Sequence, residues 1–408
     1  VVTSTREPTV TTAQDAVGRA LEQRRNAVLT LSHGVHADAE LAFEEHTSSA
    51  RVAQAADDAG FDVTHGTAGM DTAVVATYGS GPLQIGICAE YDALPGIGHA
   101  CGHNIIAGAA VGAAVALREI ADDIGLTVRL LGTPAEENGG GKVLMLDGGS
   151  FDGLHASMMV HPAPLEADTM GCLAVTHIEA HYAGQTAHAS AYPELGRNAA
   201  DALTVAQVGI GLLRQHMLPT QRIHGIVTDG GDAPNIVPHR TAGTWYVRAE
   251  TLEELAELYP RVRSVFEAGA LATGTTLTIP EPSPAYSHFD PDDDLRHAYR
   301  RHAEALGRAF PDLGALAEKI RGSTDMANVS LELPSIHPML AIEADGAVNH
   351  QPAFTAACVT ASADQATLDG ALAMARTAVE AATDEALRDR LLASGGYDSS
   401  AYEVPRLH

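Results

Sequence analysis

The sequence predicts an α/β protein with a mostly parallel sheet, interrupted by an inserted α+β domain with an antiparallel sheet. Three observations predict it. Nearly continuous apolar runs, Leu83–Ala89 and Leu126–Leu131, alternate with helical periods, as strands covered on both faces do. From about Gly171 the pattern changes to long alternating strands with two helices between them. After a Pro-rich stretch, Pro280–Pro284, and the acidic Asp290–Asp294, the α/β pattern resumes. The expected boundaries are 1–173 and 286–408 for the outer domain and 174–285 for the insert.

Taken in order, Val17, Leu21, Val28 and Leu31 fall at helical spacing from Thr12 to about Gly34. A second amphipathic helix is expected from Glu44 to Ala59, stopped by Gly60. Strands Thr72–Tyr78 and Leu83–Ala89 follow, then helix Asn104–Ile120, strand Leu126–Leu131, a short helix at Lys142–Leu146 and strand Ala156–Val160. The insert reads as strand Gly171–Ala183, helix Arg197–Gln215, strands Ile223–Thr228 and Gly243–Glu250, helix Leu252–Gly269 and strand Thr275–Ile279. The return carries helix Leu295–Leu306, strand Met339–Ala344 and helix Thr367–Ala382, with a tail expected to fray from Gly395.

The 408 residues suit two domains, and 45% hydrophobic content suits a large core. Aromatics are only 4% while Ala and Gly are plentiful, which implies close helix packing. A net charge of −27 repels nucleic acid and anionic membranes, so neither is an expected partner. The longest apolar stretch, Ile105–Leu117, is shorter than the ~20 residues of a membrane span and reads as a buried helix. Val1 to Val10 is polar and has no apolar signal-peptide core. Cys88, Cys101, Cys172 and Cys358 fit no CxxC framework, so a reducing, cytoplasmic setting is expected.

Four motifs carry chemistry, each at the end of an apolar segment, where open α/β sheets bind ligands. Glu90-Tyr91-Asp92-Ala93-Leu94-Pro95 leads into His99-Ala100-Cys101-Gly102-His103-Asn104. One glycine between Cys101 and His103 lets a thiolate and an imidazole turn toward one point, a good pair for a borderline transition metal. Such a pair alone is also what a capping loop with a buried cysteine looks like. The second motif is Gly132-Thr133-Pro134-Ala135-Glu136-Glu137. Adjacent carboxylates are ordinarily surface decoration, but at a strand end they point to opposite sides, one toward metal and one toward water. The glycines after them lack phosphate-loop spacing. The third and fourth motifs are His161-Pro162 and His350-Gln351-Pro352. Together Cys101, His103, Glu137, His161 and His350 exceed one tetrahedral site with an open position and suit two metals sharing a bridge, for which Cys101 is the choice.

At these residues the chain resembles the M20 metallopeptidase/amidohydrolase family, in the branch with a Cys-Gly-His motif. Ala89–Asn104, Gly132–Lys142 and Gly322–Ser330 are most similar to the aminobenzoyl-glutamate hydrolase and β-alanyl-lysine dipeptidase types, and amino-acid conjugate hydrolases share the branch. The resemblance implies a catalytic domain interrupted by a lid that dimerises. It implies two divalent ions (Zn, Mn, Co or Ni) on the five ligands above and Glu136 as general base. Asp92 is expected to orient a ligand. Gly184-Gln185-Thr186-Ala187-His188-Ala189 matches a lid segment whose His188 helps hold the scissile carbonyl. Asn235 and Arg248 match lid positions that bind a substrate carboxylate. Ser323, Thr324 and Asp325 are expected to line the site.

The expected reaction is hydrolysis of an amide in a small N-acyl amino acid or dipeptide-like molecule. An N-carbamoyl or other non-peptide amide on the same site is the alternative. A hydrolase with Cys101 as nucleophile and a catalytically silent binding protein are rivals from other classes.

Overall fold

The computed structural model describes residues 10–281, 283–314 and 320–407. The polar N-terminal stretch up to Thr9 and Pro282 of the Pro-rich stretch lie outside them. The chain divides into two compact units: one runs to Gly171 and resumes at Phe289–Val404, and the other is Cys172–His288 with the chain end from Pro405.

The first unit opens with α1 (Val10–Asp38) and α2 (His46–Asp58). A hairpin of β1 (Asp62–Thr67) and β2 (Met70–Tyr78) precedes β3 (Leu83–Glu90), α3 (His103–Arg118), β4 (Leu126–Thr133), α4 (Gly141–Asp147), β5 (Ala156–Met158) and β6 (His161–Ala163). Strand β7 (Gly171–Cys172) leads into the second unit, which holds β8 (Ala174–Ala183), α5 (Ala199–Leu213), β9 (Arg222–Asp229), β10 (Arg240–Ala249), α6 (Leu252–Thr273) and β11 (Thr276–Thr278). The first unit resumes with α7 (Asp293–Ala305), β12 (Arg321–Gly322), α8 (Met326–Glu332), β13 (Ser335–Ile336), β14 (Met339–Ala341), α9 (Pro352–Ala357), α10 (Ala361–Thr383) and α11 (Glu385–Ala393).

Its main sheet has the order β1-β2-β4-β3-β5-β13, with β4, β3, β5 and β13 parallel and the β1–β2 hairpin antiparallel at one edge. Strand β1 escaped the sequence reading because Asp62-Val63-Thr64-His65-Gly66-Thr67 lacks apolar alternation, as a polar edge strand can. β14 pairs in parallel with β6, setting Met339 opposite His161.

Helix α3 is buried from His103 to Leu117, as the Ala/Gly composition implies. A Cβ on Gly108 would meet Thr367 Cγ2 at 2.8 Å, and one on Gly112 would meet Ala371 Cβ at 3.0 Å, so small residues let α1 and α10 close on α3. α10 is capped by Thr360, whose side chain accepts from the N–H of Ala363. The tail does not fray at Gly395: Tyr397 is buried, donates its N–H to Leu154 O at 2.9 Å and accepts from Gly153 N–H at 2.8 Å.

In the second unit the antiparallel sheet runs β11-β8-β10-β9. Ile178, Tyr182, Trp245 and Val247 share one core with Leu258, Val262 and Phe266 of α6 and Leu203 of α5. The expected strand Gly171–Ala183 is broken at Leu173 into β7 and β8.

Candidate metal centre

Strand ends and loops of the first unit build this centre. Strand β3 ends at Glu90, and Asp92 follows it. The N-terminus of α3 carries Cys101 and His103 on either side of Gly102, whose φ is +73°. A Cβ there would lie 2.5 Å from Pro162 Cγ and 3.2 Å from Cys358 Sγ, so glycine is required twice over. Beyond β4, Ala135 takes φ +58°, fixed where its N–H donates to the buried Glu45 carboxylate at 2.8 Å. That turn aims Glu136 and Glu137. His350, also left-handed at φ +67°, is tied through its N–H to Ala100 O at 2.9 Å. Two non-glycine residues in this region, both at ligand loops, are strain held by tertiary contacts.

All five expected ligands converge. Cys101, His103 and His161 form one group, and Cys101, Glu137 and His350 another, with ligand atoms within 4.8 Å of one another in each. Cys101 is the member these two groups share. A third group, Glu90, His103 and Glu136, was not read from the sequence. Among the expected ligands, His103 Nε2 and Glu137 Oε1 are buried without a hydrogen-bond partner. Orphaned lone pairs packed around a thiol are what a divalent cation satisfies, so the residues fit the expected ions.

Asp92 organises the group. Its Oδ1 is 3.0 Å from His103 Nδ1 and its Oδ2 accepts the N–H of Glu137 at 2.9 Å. A carboxylate accepts, so Nδ1 carries a proton, and Nε2 would be the ligand atom once a cation takes the place of its own proton. Burial opposes charge on both groups, but their mutual attraction outweighs it: His103 is held well above the usual imidazole range and Asp92 below the usual carboxylate range. His161 Nδ1 lies 2.9 Å from Pro162 O, which likewise frees its Nε2, and burial lowers its pKa to about 4, so it is neutral and ready to ligate.

Burial, then the nearby Glu90 and Glu137 charges, push the Glu136 carboxyl well above its ordinary value. A carboxylate raised in this way is a stronger base than a free one, as a group that takes and returns a proton needs to be. Burial also raises the Cys101 thiol well above its usual pKa. That disfavours a free thiolate nucleophile, whereas a coordinating cation deprotonates a thiol outright.

Thr324 and Asp325 are buried at the start of α8, with Ser323 half-buried beside them. Asp325 accepts both the N–H of Lys142 at 2.8 Å and its Nζ at 2.7 Å. Sequence reasoning missed Lys142 and Glu45. It also missed His337, fully buried with its ring 5.5 Å from that of His161 and both nitrogens without a hydrogen-bond partner. A second His-Pro pair, His337-Pro338, after a short apolar strand was the signal for His337.

His188, Asn235 and Arg248 belong to the second unit. His188 and Asn235 come together there: Ala189 N–H donates to Asn235 O at 3.0 Å, and His188 pairs with Ile236 in an isolated bridge. His188 Nδ1 accepts from the N–H groups of Ser190 and Ala191 at 3.3 and 3.2 Å, which leaves Nε2 as a donor. Arg248 lies over Tyr246, 5.7 Å from its ring centre, and donates to His224 at 3.3 Å. An open groove of about 690 Å³ between α1 and α2, lined by Leu31, Arg51 and Val111 among others, includes none of the five candidate metal ligands.

A parallel-sheet unit whose strand ends gather thiolate, imidazole and carboxylate defines a class, the metal-dependent hydrolases. The sequence model of Peptidase family M20/M25/M40 matches residues 86–380, and the chain belongs to that family. It is thus a metal-dependent peptidase/amidohydrolase. A mouse Xaa-Arg dipeptidase is 38% identical over 364 residues, covering 86% of this chain and 84% of its own. A p-aminobenzoyl-glutamate hydrolase polypeptide of Escherichia coli is 33% identical over 280 residues, 63% of this chain and 58% of its own. In fold, the chain matches a Klebsiella pneumoniae aminobenzoyl-glutamate utilization protein with a TM-score of 0.71, at 19% identity over 89% of this chain and 98% of that one. A dinuclear metal-binding M20 peptidase of Bacillus subtilis matches with a TM-score of 0.65, at 20% identity over 88% and 98%. Among the described residues no helix is long and apolar enough to cross a membrane.

Proposed function

We propose that the chain hydrolyses the amide bond of a small dipeptide or N-acyl amino acid, using two divalent metal ions held by Cys101, His103, Glu137, His161 and His350. The observation that carries this reading is the sharing of Cys101 between two ligand groups, with Glu136 Oε2 3.7 Å from His103 Nε2. When bound, the ions would acidify a water and polarise the scissile carbonyl. Glu136 takes a proton from the water that attacks the amide carbon and returns it to the amine nitrogen as the C–N bond breaks. Asp92 holds His103 and the Glu137 backbone in register. His188 donates Nε2–H to the developing oxyanion, and Asn235 and Arg248 hold a substrate carboxylate, while Ser323 and Thr324 line the pocket.

The Xaa-Arg dipeptidases among the relatives favour a dipeptide with a cationic C-terminal side chain, to which a net charge of −27 is electrostatically suited. The inserted segment, residues 174–285, acts as the lid and joins two chains. Exposed Val208 and Leu212 on α5, and exposed Ile226 on the edge strand β9, support that interface. Sedimentation at micromolar concentration tests it, and a monomer would remove it. Four buried cysteines, none of them in a disulfide, support a reducing, cytoplasmic setting.

The test of function is amine release from Xaa-Arg and Xaa-Lys dipeptides, N-acyl glutamate and aspartate, and N-carbamoyl amino acids, before and after chelation and return of Zn, Mn, Co or Ni. Activity should vanish and return with metal. Glu136→Gln should lower turnover by about 10²–10⁴-fold with metal content kept. Activity that survives chelation would sink the proposal.

A further inference from the structure

His103 has one ligand atom to give, because its Nδ1 is committed to Asp92. That atom, Nε2, belongs to two different groups. One is soft, with the Cys101 thiol and the His161 imidazole, and the other is hard, with the Glu90 and Glu136 carboxylates. Thiolate and imidazole suit zinc and cobalt, while carboxylates suit manganese and magnesium. All three members of the hard group are buried.

Lys142 stands against the hard group. Its side chain is fully buried, and its Nζ is 2.5 Å from Glu90 Oε1 and 2.7 Å from Asp325 Oδ1. The backbone N–H of Lys142 donates to the other oxygen of Asp325 at 2.8 Å, so one carboxylate grips both ends of the residue. The ammonium cannot swing away. Glu90 is left with only Oε2 facing His103 Nε2, at 3.4 Å. A cation between Glu90 and Glu136 would sit beside this fixed positive charge in a low-dielectric interior, where repulsion is strong.

We propose that Lys142 is a metal-selecting residue: by occupying Glu90 it closes the all-carboxylate group and commits His103 to the thiolate group. Glu90 is then a counter-charge and no ligand. This rests on the dinuclear reading above.

The test uses the full chain stripped of metal, as wild type, Lys142→Met, Glu90→Gln and the double variant. Cobalt and manganese uptake is measured by equilibrium dialysis with elemental analysis, and the sulfur-to-cobalt charge-transfer band reports Cys101. Wild type should bind two cobalt ions with the thiolate band. Glu90→Gln should match it in both. Lys142→Met should bind manganese at least about tenfold more tightly and lose thiolate band intensity. Adding Glu90→Gln to Lys142→Met should return manganese affinity to the wild-type level. Loss of an ion from Glu90→Gln would make Glu90 a ligand and overturn the proposal, as would unchanged manganese affinity in Lys142→Met. If Lys142→Met does not fold, Glu90→Gln alone decides. Wild type that takes up no cobalt would overturn the dinuclear reading and the gate with it, whereas deviations confined to the variants overturn only the gate.

Discussion

In the unit that carries the candidate metal centre, Glu45, Glu90, Asp92, Lys142 and Asp325 are at most 1% exposed. In Cys172–His288, the buried polar side chains among the described residues are Thr176, Gln221, Thr241 and Ser287, all uncharged. One unit therefore stands on charges that must be matched one for one, because an unpaired buried ion is strongly destabilising. The other stands on packing of Ile178, Tyr182, Trp245 and Phe266, where errors are graded by volume. The difference follows chemistry: groups that hold cations must be polar, close together and dry, whereas a packed core needs only matched apolar volume.

Trp245 makes the contrast measurable, since it is the single tryptophan and lies in the core of the second unit. The largest effect is expected for Lys142→Met, which leaves Glu90 and Asp325 buried without their cation. Urea unfolding followed by far-ultraviolet circular dichroism should show a loss of about 3–5 kcal/mol. The transition seen by Trp245 fluorescence should stay in place. A shift of both by the same amount would mean that the units unfold as one and would break the comparison.

A smaller effect concerns pH. His177 stacks on Tyr246, with ring centres 3.9 Å apart. Burial, then the charges of Arg248 and His224, lower its pKa from 6.5 to about 4. The folded state thus binds fewer protons than the unfolded state between these values. The contribution is fully present above pH 6.5 and is lost as pH falls toward 4, by about 2–3 kcal/mol. His177→Gln should flatten the dependence of the Trp245 transition between pH 7.5 and 5. An unchanged slope would show that His177 titrates normally.

The smallest effect is expected for Ile178→Val, opposite Trp245 in the β8–β10 register. It should lower the Trp245 transition by about 0.5–1.5 kcal/mol and leave metal content alone. A change in metal content would contradict the assignment of all five metal ligands to the first unit.

Much of this molecule was determined by sequence alone. Alternating elements placed the parallel sheet, and the Ala/Gly run placed α3. Short local signals (Cys101-Gly102-His103, Glu136-Glu137, His161-Pro162, and His350-Gln351-Pro352) marked residues that the fold brings together as candidate ligands, because neighbours in the chain carry their geometry with them. Polar elements without periodicity, such as β1, were not legible. Nor was the Lys142–Glu90–Asp325 network, whose partners lie 52 and 183 residues from Lys142. In composition a lysine reads as surface, since lysine is almost never fully buried unless paired. Only the packed structure decides that pairing, because it depends on which strand and helix ends the sheet order brings side by side and dries out together.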